Sequence, residues 1–162
     1  MNYDLIVIGA GPGGYVAAIR AAQMGKKVAI VEKDTPGGTC LNRGCIPTKA
    51  LTASCDVLRN VKDGRRFGIE VEGYNVDFSK VMAHKNRTVK RLVKGINVLF
   101  KKNKIDHFTG EGKIVNKNTV QVSGEETKEI TGEYLLIATG SKARTFPNMN
   151  YDGDKIVTSK EI

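Results

Sequence analysis

The feature that most constrains this chain is a glycine-rich turn between two short runs of β-branched residues. The turn reads Gly9-Ala10-Gly11-Pro12-Gly13-Gly14. It follows an apolar run at 3–8 and precedes an alanine-rich segment at 15–24, and a second β-branched run at 28–31 ends on Glu32. A strand, a turn, a helix and a second strand in this order predict a βαβ unit whose strands are parallel and buried.

This Gly-x-Gly-x-x-Gly turn, in its βαβ context, predicts a dinucleotide-binding site. Gly9 allows the tight turn, Gly11 lets the backbone approach a pyrophosphate, and Gly14 lets the helix and strand pack closely. The helix N-terminus offers its free N–H groups and the positive end of its dipole to the phosphates. The Glu32 carboxylate would accept hydrogen bonds from ribose hydroxyls. The motif alone leaves FAD and NAD open as ligands.

The composition excludes several classes of protein. The 162 residues suit one domain with an ordinary core, and a 40% hydrophobic share with four prolines is neither collagen-like nor disordered. No apolar run approaches the roughly 18–20 residues that a membrane span needs. The N-terminus has no basic stretch of a signal or transit peptide. Three cysteines are too few for a secreted disulfide scaffold, so we expect a cytoplasmic protein.

Two of the cysteines, Cys40 and Cys45, lie five positions apart just before a segment at 47–61 that is predicted to be helical. A disulfide between them would close a short loop and would stabilise the fold by only about 2 kcal/mol. A helix N-terminus lowers the pKa of a thiol, which favours a redox pair over two unrelated buried cysteines. Zinc is disfavoured because no further ligand is near. The third cysteine, Cys55, is expected to be a small buried core thiol.

The residues around this pair resemble the flavin-dependent pyridine nucleotide-disulfide oxidoreductase family. The matching stretches are Gly37-Gly38-Thr39-Cys40-Leu41-Asn42-Arg43-Gly44-Cys45-Ile46-Pro47-Thr48-Lys49 and, similar to the family's second FAD signature, Leu136-Ile137-Ala138-Thr139-Gly140-Ser141. The resemblance spans essentially the whole chain. It is strongest to the members that oxidise dihydrolipoamide, because glutathione and mercuric reductases usually have Val where this chain has Leu41 and Ile46.

The resemblance implies a role for each matching residue. Cys40 would be the interchange thiol that forms a mixed disulfide with dihydrolipoamide, and Cys45 would be the charge-transfer thiol against the flavin ring. Lys49 would approach the flavin N5 region and favour the reduced, anionic flavin. Glu32 and Lys33 would hold the adenosine end of FAD. The implied cofactor-binding residues are Gly9, Gly11, Pro12, Gly13, Gly14, Glu32, Lys33, Gly38, Thr39, Cys40, Gly44, Cys45, Lys49, Gly112, Ala138, Thr139 and Gly140.

The expected fold class is α/β, with a Rossmann-type parallel sheet, flanking helices and a small antiparallel β-meander, which is the FAD/NAD(P)-binding fold. Asp77 or Ser79 would cap a long helix that ends near Lys102 and carries one apolar stripe. Short apolar runs follow at 105–108, 113–115, 119–122, 129–131 and 134–138. We expect the first four to form the meander and the last to be a buried strand.

Family resemblance also implies the organisation and partners. Residues 1–146 would be the FAD-binding domain with the redox disulfide, and 147–162 the start of the connection to an absent NAD-binding domain. FAD would be bound tightly without a covalent bond, and NAD⁺ would be the acceptor at a site outside this chain. The parent enzyme would be a homodimer that oxidises dihydrolipoamide on a lipoyl domain, with the acyltransferase subunit of a 2-oxo acid dehydrogenase complex as partner, or in the glycine cleavage system.

On this view the chain is an N-terminal part that does not turn over alone. The alternatives are another family member, similar to glutathione or mercuric reductase, or a stand-alone FAD- or nucleotide-binding module without turnover. His84 and His107 do not match the family's catalytic histidine, and we expect them to be surface side chains or partly buried side chains with satisfied hydrogen bonds.

The net charge of +9 belongs to one segment. Residues 80–104 contain nine Lys or Arg and no acid, while the rest of the chain is neutral. We expect the solvated face of an amphipathic helix rather than a nucleic-acid site, because no exposed aromatics are interleaved with the charges. An anionic membrane surface or an acidic protein domain is the alternative partner for this segment.

Overall fold

A computed structural model of the chain describes residues 2–161. The elements are β1 (Asn2–Ile8), α1 (Pro12–Gln23), β2 (Val28–Glu32), α2 (Gly38–Arg43), α3 (Cys45–Asp63), a 3₁₀ turn (Gly64–Phe67), α4 (Phe78–Lys102), β3 (Asp106–Thr109), β4 (Glu111–Asn116), β5 (Thr119–Ser123) and β6 (Thr127–Ile137). The strands form one sheet in the order β3-β2-β1-β6-β5-β4. Its first four strands are parallel, and the β6-β5-β4 part is antiparallel.

The predicted βαβ unit is confirmed. Strands β1 and β2 pair in parallel, with Leu5 opposite Val28 and Ile8 opposite Val31. The side chains of Ile6, Val7 and Ile30 are fully buried, although Ile6 and Val7 point to opposite faces of the sheet. Burial on both faces explains why these strands are continuous apolar runs without alternation.

Each face of the parallel sheet has its own apolar layer. On one face, Val7 and Ile30 pack with Ala18 of α1 and with Ile96 and Phe100 of α4. On the other face the meander folds over the sheet and covers it with side chains of β5 and β6. That second layer contains Tyr3, Ile6, Ile8, Ala29, Val31, Val120, Val122 and Ile130. The helices therefore flank one face, and the predicted meander takes the place of a helical layer on the other.

Strand β6 differs from the prediction because it is one strand rather than two. Its residues up to Thr131 pair antiparallel with β5, and from Thr131 onward it pairs parallel with β1. The predicted burial of its last part is wrong, since Tyr134 and Ile137 are each 64% exposed. Tyr134 lies opposite Leu5 on the helix face and Ile137 opposite Ile8 on the meander face, while Leu135 and Leu136 between them are partly buried against the two apolar layers. Both layers therefore end before they cover Tyr134 and Ile137.

Strand β3 was expected in the antiparallel meander, and this prediction is wrong. It pairs in parallel with β2, with Ala29 opposite Asp106 and Glu32 opposite Thr109. The connection between β2 and β3 explains the parallel pairing. It contains three helices, and a long helical crossover brings the chain back in the same direction. The antiparallel meander is formed by β4, β5 and the first half of β6.

Helix α4 carries the predicted apolar stripe and the basic residues on opposite sides. Ile96 and Phe100 are buried, while eight of the nine basic residues at 80–104 are exposed. Lys85 is the exception, with 7% of its surface exposed. Within residues 2–161, no helix has the length and apolarity needed to cross a membrane.

Asp77 is the N-cap of α4, and replacing it should weaken the start of this helix. Its carboxylate accepts a hydrogen bond from the Lys80 backbone N–H and one from the Ser79 hydroxyl, and these bonds hold its pKa below the ordinary value. We expect Asp77→Ala to lower the urea midpoint and Asp77→Asn, which also caps well, to leave it nearly unchanged. Equal midpoints for the two variants would contradict a capping role.

Candidate active site

The main cleft lies at the carboxyl ends of the parallel strands, where ligands bind in open α/β sheets. Its volume is about 750 Å³, and its walls come from the turn after β1, the stretch from the end of β2 through α2, the start of β4 and the segment after β6. Thirteen of the residues predicted to bind the cofactor line it: Gly9, Gly11, Pro12, Gly13, Glu32, Lys33, Gly38, Thr39, Cys40, Gly112, Ala138, Thr139 and Gly140. One cleft thus collects residues from four separate parts of the chain.

The glycine turn depends on the absence of side chains at two positions. Gly9 has φ +101°, and a Cβ there would overlap the carbonyl oxygen of Ala138. A Cβ at Gly14 would overlap the carbonyl oxygen of Gly9. The turn is therefore packed between the start of α1 and the segment after β6. This geometry agrees with the predicted packing role of Gly14, which lies outside the cleft lining.

Glu32 fastens the glycine turn to the end of β2. One carboxylate oxygen accepts a hydrogen bond from the Ala10 N–H at 2.7 Å, and the other accepts one from the Asp34 N–H at 2.9 Å. The side chain still lines the cleft. Its predicted contact with ribose hydroxyls would have to use the remaining acceptor capacity of these two oxygens.

A disulfide joins Cys40 to Cys45. Cys40 lies in α2 and lines the cleft, while Cys45 is the first residue of α3 and is exposed beside it. Lys49 follows one turn later on α3 and is exposed. Gly44, Cys45 and Lys49 thus lie outside the cleft lining, at the start of α3.

Helix α2 was not predicted, because consecutive glycines favour a loop and hide a helix start. Gly37 and Gly38 both have positive φ, +112° and +60°. This backbone turns the chain back onto the glycine turn, where the Gly37 N–H donates to the Ala10 carbonyl at 2.7 Å. The helix that carries Cys40 is therefore in direct contact with the turn predicted to hold the pyrophosphate.

Polar residues that the sequence analysis did not assign also line the cleft. They are Asp34, Thr35, Asn42, Arg43, Glu111, Ser141 and Lys142. Arg43 pairs with Asp34, and Lys33 pairs with Glu111 at 3.3 Å. Asn42 and Arg43 could have been found, because they lie between the two cysteines; Glu111 and Lys142 reach the cleft only through the folding of the meander.

The structure corrects the expectations for Cys55 and His107 and shows that His84 and His107 lie in different environments. Cys55 is an exposed free thiol on α3 and not a buried core residue, because it lies on the solvent side of that helix. His84 is exposed, whereas His107 on β3 is partly buried with its ring 5.5 Å from that of Phe100. The expectation of satisfied hydrogen bonds is wrong for His107, because its buried Nε2 has no hydrogen-bond partner among residues 2–161. Among residues 2–161 no cluster of side chains could hold a metal ion.

His107 should make stability depend on pH. Burial lowers the pKa of His107 below its ordinary value of 6.5, with the nearby Glu32 carboxylate acting in the opposite direction. The unfolded chain therefore takes up the proton first, so the free energy of unfolding should fall as the pH drops below 6.5. Urea unfolding between about pH 7.5 and about pH 5 measures this fall. His107→Leu should reduce it, while His84→Leu, at an exposed site, should retain it.

Comparison with known proteins agrees with this site. A family model described as pyridine nucleotide-disulphide oxidoreductase matches residues 3–161. With a cleft built on the glycine turn and a disulfide in its wall, the chain belongs to the pyridine nucleotide-disulphide oxidoreductase family.

Within this family, the chain is similar to curated dihydrolipoyl dehydrogenases. The chain is 44% identical to the dihydrolipoyl dehydrogenase of Bacillus subtilis, over 99% of this chain and 36% of the relative. It is 48% identical to the mitochondrial dihydrolipoyl dehydrogenase of Schizosaccharomyces pombe, over 98% of this chain and 32% of the relative. It thus spans about a third of the length of these curated relatives.

A solved structure also shares the fold. It is the Cu(II) complex of the HOCl-induced flavoprotein disulfide reductase RclA from Escherichia coli. The two structures superpose with a TM-score of 0.73 at 30% identity, over 91% of this chain and 30% of that one.

Proposed function

We propose that this chain is the FAD-binding, disulfide-carrying part of a dihydrolipoyl dehydrogenase, which oxidises dihydrolipoamide to lipoamide with NAD⁺ as acceptor. One observation carries the proposal: the glycine turn and the helix that carries Cys40 line the same cleft. A redox disulfide and a dinucleotide site placed together fit an enzyme that moves electrons between them. The 44–48% identity to the two dihydrolipoyl dehydrogenases described above supports the choice within the family.

The residues present fit FAD. At the start of α1, Gly11 and Gly13 have no side chain and offer backbone N–H groups and a positive dipole end to a pyrophosphate, while Pro12 between them has no N–H and lines the cleft with its ring. Gly112 leaves space over Ile8 and Val31, where a Cβ would come within 3.1 Å of Ile8. When bound, FAD would supply an acceptor for the two electrons of the reduced cysteine pair.

The disulfide would react by thiol–disulfide exchange. One thiolate of dihydrolipoamide attacks the sulfur of Cys40, a substrate–Cys40 disulfide forms, and the Cys40–Cys45 bond breaks to release Cys45 as thiolate. The second substrate sulfur then attacks the first, which closes lipoamide and frees Cys40. Two electrons and two protons leave the substrate. The electrons reduce the disulfide, and the protons go to the Cys40 thiolate and the medium.

The start of α3 would stabilise the Cys45 thiolate. Cys45 is the first residue of this 19-residue helix, where the N–H groups and the helix dipole favour negative charge. The Lys49 ammonium, one turn further, adds a positive charge on the same side. Both effects favour Cys45 as leaving group, which is consistent with Cys40 as the sulfur that the substrate attacks.

The remaining proposals concern the parent enzyme. NAD⁺ would bind outside residues 1–146, with 147–162 as the connection to that domain. The homodimer, the lipoyl domain with its dihydrolipoamide, and the acyltransferase subunit of a 2-oxo acid dehydrogenase complex, or the glycine cleavage system, are the proposed partners. A cytoplasmic location is proposed because a reducing compartment lets the cysteine pair cycle.

Two measurements on the purified protein test the proposal. FAD added in a titration should bind, with quenching of its fluorescence. One equivalent of dihydrolipoamide should reduce Cys40–Cys45 and raise the number of alkylatable thiols from one to three. FAD binding without reduction would favour a nucleotide-binding module, and faster reduction by glutathione than by dihydrolipoamide would favour another family branch. If FAD does not bind and dihydrolipoamide does not reduce the disulfide, the proposal is overturned.

A further inference from the structure

Asn42 lies inside the short ring that the Cys40–Cys45 disulfide closes. Its side-chain amide nitrogen donates to the carbonyl oxygens of Thr35 at 3.2 Å and Pro36 at 3.2 Å. It also donates to the carbonyl of Gly38 at 3.1 Å. The amide has two hydrogens for three acceptors, so one hydrogen is shared. Two of these bonds join the ring to the loop that precedes α2, and the third lies within α2, whose first residue is Gly38.

That loop is itself attached to the dinucleotide turn. Pro36 and Gly37 are buried, and the Gly37 N–H donates to the carbonyl of Ala10 at 2.7 Å. Gly38 lies against Gly11 so closely that a Cβ would come within 2.6 Å of the Gly11 Cα. A continuous path of contacts therefore runs from the glycine turn through 36–38 to Asn42 and the disulfide.

We propose that Asn42 is a positioning residue that holds Cys40 where it can close the disulfide with Cys45. The inference rests on the proposed function, because it matters only if this disulfide opens and closes. When the bond is reduced, the only covalent link from α2 to α3 runs through Gly44, while Leu41 keeps α2 in contact with the core. In the disulfide form the ring already orders the end of α2 that carries Cys40, whereas in the dithiol form the Asn42 bonds must order it themselves, so these bonds contribute more to the disulfide form.

Removal of the Asn42 amide should therefore shift the thiol–disulfide equilibrium. Without it the end of α2 that carries Cys40 is less restrained, the two thiols meet less often, and the equilibrium moves from the disulfide toward the dithiol. A side chain that served stability alone would contribute equally to the stability of both redox states. By reciprocity of coupling, its loss would then leave the equilibrium unchanged. The equilibrium constant thus distinguishes a positioning role from a general structural one.

The experiment equilibrates the purified protein with dithiothreitol. The protein S–S bond breaks, the S–S bond of cyclic dithiothreitol forms, and two electrons and two protons pass to the cysteines. Free thiols are trapped by alkylation and counted by mass, with Cys55 adding one constant adduct. Asn42→Ala should shift the equilibrium constant about tenfold toward the dithiol, as expected for the loss of one net hydrogen bond. Asn42→Asp has the same shape without the donor and should shift it at least as far.

Asn97→Ala is the matched control, since the Asn97 amide also donates to a backbone carbonyl, that of Val93 at 3.3 Å, but within α4. Its equilibrium constant should equal that of the wild type. Asn42→Gln keeps the amide on a longer side chain and should retain part of the effect. If Asn42→Ala does not fold by circular dichroism, the comparison of Asn42→Gln with Asn42→Asp carries the test.

The possible outcomes are distinct. Wild-type protein that dithiothreitol cannot reduce would contradict the proposed function. Wild-type protein that is reduced, with Asn42 variants that share its equilibrium constant, would overturn the positioning role and leave the proposed function intact. A shift in the Asn42 variants and none in Asn97→Ala is the result that the structure supports.

Discussion

Replacing Cys40 with serine is expected to abolish the oxidation of dihydrolipoamide while FAD still binds. A hydroxyl is not attacked by a thiolate and cannot form the disulfide, so the rate should fall by at least about a thousandfold. Single-turnover mixing measures it: the wild type should produce one equivalent of lipoamide and Cys40→Ser none above background. FAD affinity should change little, because Cys40 is only one of the many residues that line the cleft.

Two other cysteine variants make this test specific. Cys45→Ser should also lose lipoamide formation and, in addition, the long-wavelength absorption that a Cys45 thiolate would give beside the flavin. Cys55→Ser changes an exposed thiol on the same helix, away from the cleft, and should behave as the wild type. If Cys40→Ser and Cys45→Ser kept wild-type yields, the redox assignment would be wrong.

The βαβ unit and the cofactor cleft could be predicted because their signals are local. The spacing of Gly9, Gly11 and Gly14 between two apolar runs determines a turn, and the cysteine motif stands within a single stretch of sequence. The parallel pairing of β3 and the continuous path of β6 could not be predicted, because both depend on which strand lies alongside. Period-2 patterning gives the faces of a strand and not its partner or direction.

The candidate site, like the fold, could be predicted only where the signal lies in a short stretch of sequence. Residues that act through backbone conformation or a motif were found, and thirteen of them line the cleft. The cross-links within the site were not found. The contact of Glu32 with Ala10 joins residues that are 22 positions apart, and no local pattern marks it. The exposure of Cys55 was also missed, because free cysteines are usually buried and the residue type alone does not indicate which side of its helix faces solvent.

Gly14→Ala is expected to destabilise the fold strongly, although it adds only one methyl group to the glycine turn. The new Cβ would overlap the Gly9 carbonyl, and a side-chain rotamer change cannot relieve this clash because the obstructing atom belongs to the backbone. The start of α1 must therefore move away from β1. Such overpacking costs about 3 kcal/mol, a large part of the stability of a domain of this size.

Gly13→Ala is the matched control, because it adds the same methyl group one residue earlier. A Cβ at Gly13 meets nothing within 4 Å, and the residue is helical, where alanine is preferred over glycine. Its urea midpoint should equal or exceed that of the wild type, while the Gly14→Ala midpoint falls. Gly13 lines the cleft and Gly14 does not. In folded protein, FAD titration should therefore show a lower affinity for Gly13→Ala than for Gly14→Ala, because a methyl group at Gly13 would stand in the proposed pyrophosphate site. Equal midpoints for the two variants would show that α1 can shift without cost and that Gly14 is not needed for close packing of helix and strand.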